Sequence, residues 1–300
     1  MLRARAVTLA ALAIALIRFA PTTQAADSAA ASTGASNEVS SKQPTPNVST
    51  GKASSSDEDA SAEAALLENI NLSREQAGVA PLREEASLHQ AAFLHAQQIV
   101  ANQRLEHQFS GEPSLLDRIA HVSPLQIDRA GENLANASCP DGAHDVLMRS
   151  APHRRNLLDP RFNVSGIAAV WSRGRLYVVQ DFGHTIPTLT PRQTAKLVQD
   201  SINENRLQAA LPALEQVAIP HLDEAACTLA KQDHPSARLI AASYTNHKIV
   251  TYTQSQPEVL PPGALRLLSN SDLHQFAVGS CYARNATYPT GIYWVAILLN

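Results

Sequence analysis

The sequence predicts an α+β fold, because two helical stretches are followed by a pair of strands. Residues 63–77 and 88–100 carry apolar residues at the spacing of one helix face. Further along, the runs "GIAAVW" and "RLYVVQDF" are rich in β-branched and aromatic residues, and the triplet Ser172-Arg173-Gly174 separates them. Two short runs with such a connection predict a hairpin. Helices that precede paired strands are typical of a layer of helices on a sheet.

The N-terminus of the 300-residue chain carries an export pattern. Early arginines precede an apolar run over residues 6–17, and small residues follow it up to Ala26. We expect residues 1–25 to be a signal peptide and the protein to be secreted or periplasmic. An uncleaved anchor is the alternative, which Arg18 at the end of the run favours. No later segment approaches the roughly 20 apolar residues of a membrane-spanning helix, so no transmembrane segment is expected after cleavage.

Residues 26–62 are predicted to be a disordered linker. The segment consists mainly of Ser, Thr, Ala, Pro and Asn, and it holds no aromatic residue. Such a composition buries too little apolar surface to offset the entropy of ordering the chain. We expect folded domains over residues 63–186 and 187–300.

The charge of the chain argues against a nucleic-acid partner. The formal net charge is −3, and it becomes about −6 once the three arginines of the signal are removed. A protein that binds nucleic acid usually carries a basic excess. The expected partner is a small molecule, a lipid or another extracellular molecule.

The second half of the chain repeats the pattern of the first. "INLSREQAGVAPL" from Ile70 matches "INENRLQAALPAL" from Ile202, and "LHQAAFLHA" from Leu88 matches "LDEAACTLA" from Leu222. The first hairpin has its counterpart in "VGSCYAR" and "GIYWVAILL" near the end. The middle is shorter and lacks "GEN", so residues 187–300 are predicted to be a degenerate, shortened second copy. Chance similarity between amphipathic helices is the alternative.

Three cysteines allow one disulfide in an oxidising compartment. In the repeat alignment Cys227 lies on the packed helix of the second copy, and Cys281 lies on its first hairpin strand. These two elements should face each other, so we predict a Cys227–Cys281 disulfide. Cys139 should remain free.

Three polar residues of the first domain could carry chemistry: His107 in "RLEHQFS", Glu132 in "AGENLA" and His153 in "SAPHRRNLL". Two imidazoles and a carboxylate are the ligands of a divalent transition metal, and the same set could act as acid, base and orienting group. Their spacing alone does not choose between these roles. Glu132 stands in a polar stretch that is expected to be a loop. His95 lies in the apolar helix stripe and should face the core.

The order of motifs from residue 64 to 182 resembles one known family. "EHQFS", "LLDRI", "GENLA", "SAPHRRNLL", "GIAAV" and "YVVQDF" follow each other as in the bacterial branch of the CAP superfamily, the cysteine-rich secretory, antigen 5 and pathogenesis-related proteins. The resemblance implies a three-layer α-β-α sandwich with an open, SCP-like cleft. It also implies that His107, Glu132 and His153 line this cleft.

The sequence departs from the better known family members shortly before the last histidine. Ser150 stands where they carry a second glutamate, so we expect a weak site for zinc or magnesium, completed by water, rather than a four-ligand cage. Ser150 completes the predicted cleft. A Ser150, His153 and Glu132 triad is not favoured, because no glycines of a nucleophile elbow flank the serine, whose place suits a helix start.

The expected function is binding rather than catalysis, since no nucleophile or complete acid–base pair is evident. The ligand would be a small apolar molecule, a metal or an extracellular partner. One alternative is a metal-assisted hydrolase that uses His107, Glu132 and His153. Another is a surface interaction module with a vestigial cleft. Arg154 and Arg155 could bind an anion, but a solvated helix face or a bond to the "GEN" segment is favoured.

Overall fold

The computed structural model describes residues 57–300. The predicted signal peptide (1–25) and most of the predicted linker (26–62) lie outside the described residues. Over residues 57–300, no helix combines the length and the apolar character that crossing a membrane requires.

The end of the predicted linker is folded. Strand β1 is Asp57–Glu58, and helix α1 is Ala60–Gln76. Asp59 starts this helix, because its Oδ1 accepts hydrogen bonds from the backbone N–H groups of Ser61 and Ala62, each at 3.0 Å. The folded part therefore begins earlier than the predicted boundary at residue 63.

The predicted helices and hairpin of the first half are confirmed, and both helices run longer than their apolar stripes. The hairpin turn consists of Arg173 and Gly174, both with positive φ, as a tight two-residue hairpin turn requires. The elements after α1 are β2 Arg83–Glu84, α2 Ala86–Asn102, α3 Leu115–Val122, β3 Gln126–Ala137, α4 Pro140–Arg149, α5 Ala151–Leu157, β4 Val164–Ser172 and β5 Arg175–Ile186.

These elements form three layers around one sheet. The strand order is β1-β4-β5-β3, with β2 paired in parallel to β4. Helices α1, α4 and α5 pack on one face, where Leu66, Leu147 and Phe182 are fully buried. Helices α2 and α3 cover the other face. The expected α-β-α sandwich is confirmed.

Helix α2 lies directly on the backbone of β4. A Cβ atom added at Gly166 would lie 2.0 Å from the backbone nitrogen of His89. Only glycine permits this approach, which fixes the start of α2 against the sheet.

The second half of the chain contains a four-stranded sheet with the order β6-β8-β9-β7. Helices α6 and α8 pack on one face of this sheet, and α7 packs on the other. Its elements are α6 Pro191–Gln208, β6 Glu215–Gln216, α7 Leu222–Lys231, β7 Lys248–Gln254, α8 Pro262–Leu268, β8 Gln275–Ala283 and β9 Ile292–Leu299.

The order of strands in the second sheet corresponds to β2-β4-β5-β3 in the first. Gly279 of β8 repeats the close approach of Gly166, because an added Cβ would lie 2.3 Å from the carbonyl oxygen of Leu222 in α7. That the second half is a degenerate copy of the first stays a prediction. The Cys227–Cys281 disulfide is confirmed, with 5.0 Å between the two Cα atoms, and Cys139 is free and exposed.

Two residues of the second half donate hydrogen bonds to the segment that joins α3 to β3 in the first half. The guanidinium of Arg284 donates to the carbonyl oxygens of Ala120, Ser123 and Leu125 at 3.2, 2.7 and 2.8 Å. The hydroxyl of Thr290 donates to the carbonyl of Ile127 at 2.7 Å. Because α3 and β3 carry site residues, these bonds also fix the geometry of the site.

Candidate functional site

Glu132 lies within strand β3 and is buried. Its Oε1 accepts a hydrogen bond from Nδ1 of His107 at 2.7 Å, and its Oε2 pairs with the guanidinium of Arg118 from helix α3. Arg118 also donates to the backbone carbonyl of His107 at 3.1 Å. The prediction that "GEN" is a loop is wrong, because the segment pairs with β5 over its whole length. The carboxylate is a buried anion between two cationic groups.

Asp181 lies opposite Glu132 in the pairing of β3 with β5, and it is fully buried. No N–H or O–H group of the described chain donates to either oxygen of its ionised carboxylate. Burial is the main reason that the pKa of Asp181 is raised well above its ordinary value, and the negative charge of Glu132 adds to this shift. The protonated form of Asp181, which burial favours, can donate a hydrogen bond to Glu132.

Replacing Asp181 with asparagine should change how stability depends on pH. A carboxyl whose pKa is raised on folding stabilises the folded state fully below its unfolded pKa, and this contribution is lost as pH rises through the folded pKa. The wild-type protein should therefore lose stability above pH 3.8, the ordinary aspartate value, in a way that the uncharged variant does not. Urea unfolding at several pH values measures the difference. An Asp145→Asn variant, changed at an exposed position, is the control. A stability difference between Asp181→Asn and wild type that does not vary with pH would contradict the assignment.

His95 extends the network on its other side. The prediction that it faces the core is confirmed, since it is fully buried. Its Nδ1 lies 2.7 Å from a carboxylate oxygen of Glu112, and its Nε2 lies 2.9 Å from the carbonyl oxygen of Glu106. The second oxygen of Glu112 accepts from the backbone N–H of Phe109 at 2.9 Å. These bonds hold the loop that precedes α3 and that also carries His107.

His153 lies on α5 and is half-buried. Burial and the positive charge of His107 lower its pKa, while the bond to Glu132 raises the pKa of His107. The pKa values of the two histidines therefore shift in opposite directions, so that His107 favours its charged form and His153 its neutral form.

Asn156 ties the "SAPHRRNLL" segment to β3. Its side-chain N–H group donates to the backbone carbonyl of Glu132 at 3.1 Å and to the side-chain oxygen of Asn133 at 3.0 Å. Asn133 in turn donates to the carbonyl of His153 at 3.2 Å. Asn156 thus braces the "GEN" segment, a role that the sequence suggests as one alternative for Arg154 and Arg155.

The other polar residues of this region have structural roles. Ser150 joins α4 to α5, and no hydrogen bond links its side chain to His153 or Glu132 in the described chain. Nε2 of His144 lies 2.9 Å from the hydroxyl oxygen of Ser73. Cys139 caps the start of α4.

That His107, Glu132 and His153 hold a metal ion stays a prediction. Among residues 57–300, the side chains whose ligand atoms lie within 4.8 Å of one another are a different set, Glu58, Glu63 and His89. Each oxygen of Glu132 is engaged, by His107 and by Arg118. The bond to Glu132 holds Nδ1 of His107, which leaves Nε2 of this exposed side chain for a ligand.

A cavity of about 430 Å³ borders this network. Glu112 and Arg118 belong both to its wall and to the network, and the apolar part of the wall comes from Leu94, Phe109 and Pro113. The sequence singled out none of the three charged partners Glu112, Arg118 and Asp181. The last two do lie inside quoted motifs, "LLDRI" and "YVVQDF", where a charged residue interrupts an apolar run.

Comparison with known proteins gives a family match for part of the first half of the chain. Residues 67–182 match the sequence model described as the CAP, cysteine-rich secretory protein family. YkwD of Bacillus subtilis is 28% identical over 119 residues, which is 39% of this chain and 46% of that protein. The chain thus spans less than half the length of this curated relative.

Solved structures give similar matches. An extracellular protein with an SCP domain from Bacillus anthracis is 23% identical over 41% of this chain and 40% of its own, with a TM-score of 0.38. A cysteine-rich secretory protein from Staphylococcus aureus is 22% identical, and the match covers 41% of this chain and 39% of that protein, with a TM-score of 0.33. Na-ASP-1 is 10% identical, and the match covers 83% of this chain and 91% of that protein, with a TM-score of 0.46.

Proposed function

Residues 67–182 form a CAP domain of the bacterial branch of this superfamily, and from this premise we propose that the protein is exported and binds a small ligand in its histidine cleft. The polar group of the ligand contacts His107 and His153, and the cavity of about 430 Å³ takes its apolar part. The ligand class is a small amphipathic molecule with an anionic head group, such as a fatty acid.

The arrangement around Glu132 is the observation that carries this proposal. A general base needs a carboxylate or imidazole that is free to accept a proton. Both oxygens of Glu132 already accept from His107 and Arg118, and no hydrogen bond ties Ser150 to His153 within residues 57–300. The cleft instead offers a histidine whose pKa is raised, which suits recognition of an anion.

Export is supported by the N-terminal pattern and by the disulfide. Cys227 and Cys281 are bonded in the second half, and disulfides persist in oxidising compartments outside the cytosol. The apolar run over residues 6–17 with its small-residue ending is the expected signal for that route.

Binding can be tested with a fluorescent fatty acid as the probe. Wild-type protein should bind it, and a His107→Ala/His153→Ala variant should bind roughly 10–100-fold more weakly, since a hydrogen bond to a charged group contributes about 1.5–3 kcal/mol. Leu94→Asp should also weaken binding, because it places a like charge in the cavity wall. His234→Ala, at an exposed position of the second half, is the control. Equal binding by all four proteins, or no binding by the wild type, would reject the proposal.

A metal-assisted hydrolase is the second candidate, and the hydrogen bond of Glu132 to His107 is what favours it. Histidines that bind zinc usually donate their other N–H to a carboxylate, which fixes the free nitrogen toward the metal. In this version His107 and His153 hold the ion, and Glu132 orients His107 without binding it. A chelator should then abolish peptide or ester hydrolysis, whereas a binding protein has no turnover to lose.

A further inference from the structure

Three side chains from three different elements meet on the edge of the first domain, away from the residues of the histidine cleft. Glu58 belongs to β1, Glu63 to the first turn of α1, and His89 to the first turn of α2. Nε2 of His89 lies 3.1 Å from Oε1 of Glu58 and 3.3 Å from Oε2 of Glu63. All three ligand atoms lie within 4.8 Å of one another.

We propose that Glu58, Glu63 and His89 form a binding site for a divalent transition-metal ion. A tetrahedral zinc ion binds nitrogen and oxygen at about 2.0–2.2 Å, which sets neighbouring ligand atoms roughly 3.3–3.5 Å apart. The two distances from His89 are close to this spacing. Three corners of a tetrahedron would be filled by the protein, and the fourth is left for water.

The fold holds the ligands in place before any ion binds. The other oxygen of Glu63 accepts from the backbone N–H of Ala169 at 3.0 Å. Strand β1 is paired to β4 with Glu58 opposite Val170, which fixes the backbone of Glu58. The ring of His89 stacks on Phe93, with 6.5 Å between the ring centroids and 6° between their planes. Because the ligand side chains are already held, fixing them around an ion would cost little further conformational entropy.

The charge of the cluster also favours a cation. Two carboxylates face one imidazole, so a single imidazole cannot balance the charge of both carboxylates. Only 12% of the side chain of Glu63 is exposed, against 34% for Glu58 and 28% for His89. A divalent ion would neutralise both carboxylates at a place where water solvates one of them poorly. The imidazole ligand selects zinc and its neighbours over magnesium or calcium.

Zinc titration of the secreted protein, followed by calorimetry, tests this site. The titration uses a His107→Ala/His153→Ala background, so that the histidine cleft cannot contribute. Zinc should bind once per chain in this background. Glu58→Gln should weaken binding by roughly ten-fold or more, since loss of a group that merely orients a ligand costs about 10–100-fold. A crystal soaked in zinc should show an anomalous peak between the three side chains.

Two controls separate a metal site from an ordinary cluster of ion pairs. Glu84→Gln removes an exposed carboxylate from neighbouring β2 and should leave zinc binding unchanged. His184→Ala removes a histidine that pairs with one carboxylate, Asp128 at 2.7 Å, and should also have no effect. Glu58 is partly exposed, so its variant should fold, which circular dichroism checks. The proposal is overturned if the background protein binds no zinc, if Glu58→Gln binds it equally well, or if magnesium competes equally.

Discussion

Replacing Arg118 with methionine should lower the free energy of unfolding by about 3–5 kcal/mol, because the change breaks a buried ion pair and leaves the exposed His107 as the remaining hydrogen-bond partner of the buried Glu132. The guanidinium pairs with Glu132 and lies 3.8 Å from Oε1 of Glu112. All three side chains are at most 10% exposed, so water cannot replace the lost cation. Urea denaturation followed by circular dichroism measures the loss.

A matched substitution on the surface separates this effect from the loss of any arginine. Arg149→Met, at an exposed position at the end of α4, should change the stability by less than about 0.5 kcal/mol. Combining Arg118→Met with Glu132→Gln should cost less than the sum of the two single changes, since the second removes the buried charge that has lost its guanidinium. A loss for Arg118→Met as small as that of the surface control would show that the pair contributes little.

The sequence predicts those site residues whose motifs resemble the family pattern. "EHQFS", "GENLA" and "SAPHRRNLL" identify His107, Glu132 and His153, and the structure brings Glu132 to 2.7 Å from His107. That Glu132 is buried in a strand could not be predicted, because its neighbours in sequence are polar and no apolar alternation marks the strand. Its partners Arg118 and Asp181 come from elements 14 and 49 positions away along the chain. Their pairing depends on tertiary packing, which local pattern does not encode.

The fold was predicted best where one face of an element is continuously apolar. The stripe Leu88, Ala92, His95 and Ile99 predicts α2 and its buried face, and all four side chains are buried. Strand β1 had no such signal, because a strand of two residues exists only through its pairing with β4. For the same reason Glu58 was assigned to a linker, and the cluster of Glu58, Glu63 and His89 could not be found from the sequence.

The internal similarity of the chain has a physical counterpart in two buried arginines. Arg74 of α1 donates to the carbonyl oxygens of Ala80, Leu157, Asp159 and Phe162 at 2.7–3.1 Å. Arg206 of α6 donates to those of Pro212, Leu268 and Asn270 at 2.5–2.9 Å. Asn71 and Asn203 each exchange two hydrogen bonds with a leucine 11 residues later. The matched residues of "INLSR" and "INENR" therefore make the same kinds of contact.

Arg74→Met and Arg206→Met should each lower the free energy of unfolding by about 3–5 kcal/mol, because each removes the donor of three or four hydrogen bonds to buried or partly buried carbonyl groups, and a buried carbonyl left unpaired costs about 1–3 kcal/mol. Most of the lost bonds connect the helix to the end of α5 and the residues after it in the first half, and to the end of α8 and the residues after it in the second. Hydrogen exchange followed by mass spectrometry should show faster exchange mainly in the half that carries the change. Chemical denaturation gives the total loss.

The comparison between the two variants is the sharper part of this test. If the two halves are built alike, the losses should agree within about 1 kcal/mol, with that of Arg206→Met the smaller because it releases three carbonyls instead of four. Arg192→Met changes an exposed arginine in the first turn of the same helix α6 and should cost less than about 0.5 kcal/mol. If Arg206→Met behaved like Arg192→Met while Arg74→Met was strongly destabilising, the shared pattern would have lost its structural role in the second half. Equal and large losses would mean that the same arginine clamp stabilises both sheets, which is what the repeated sequence predicts.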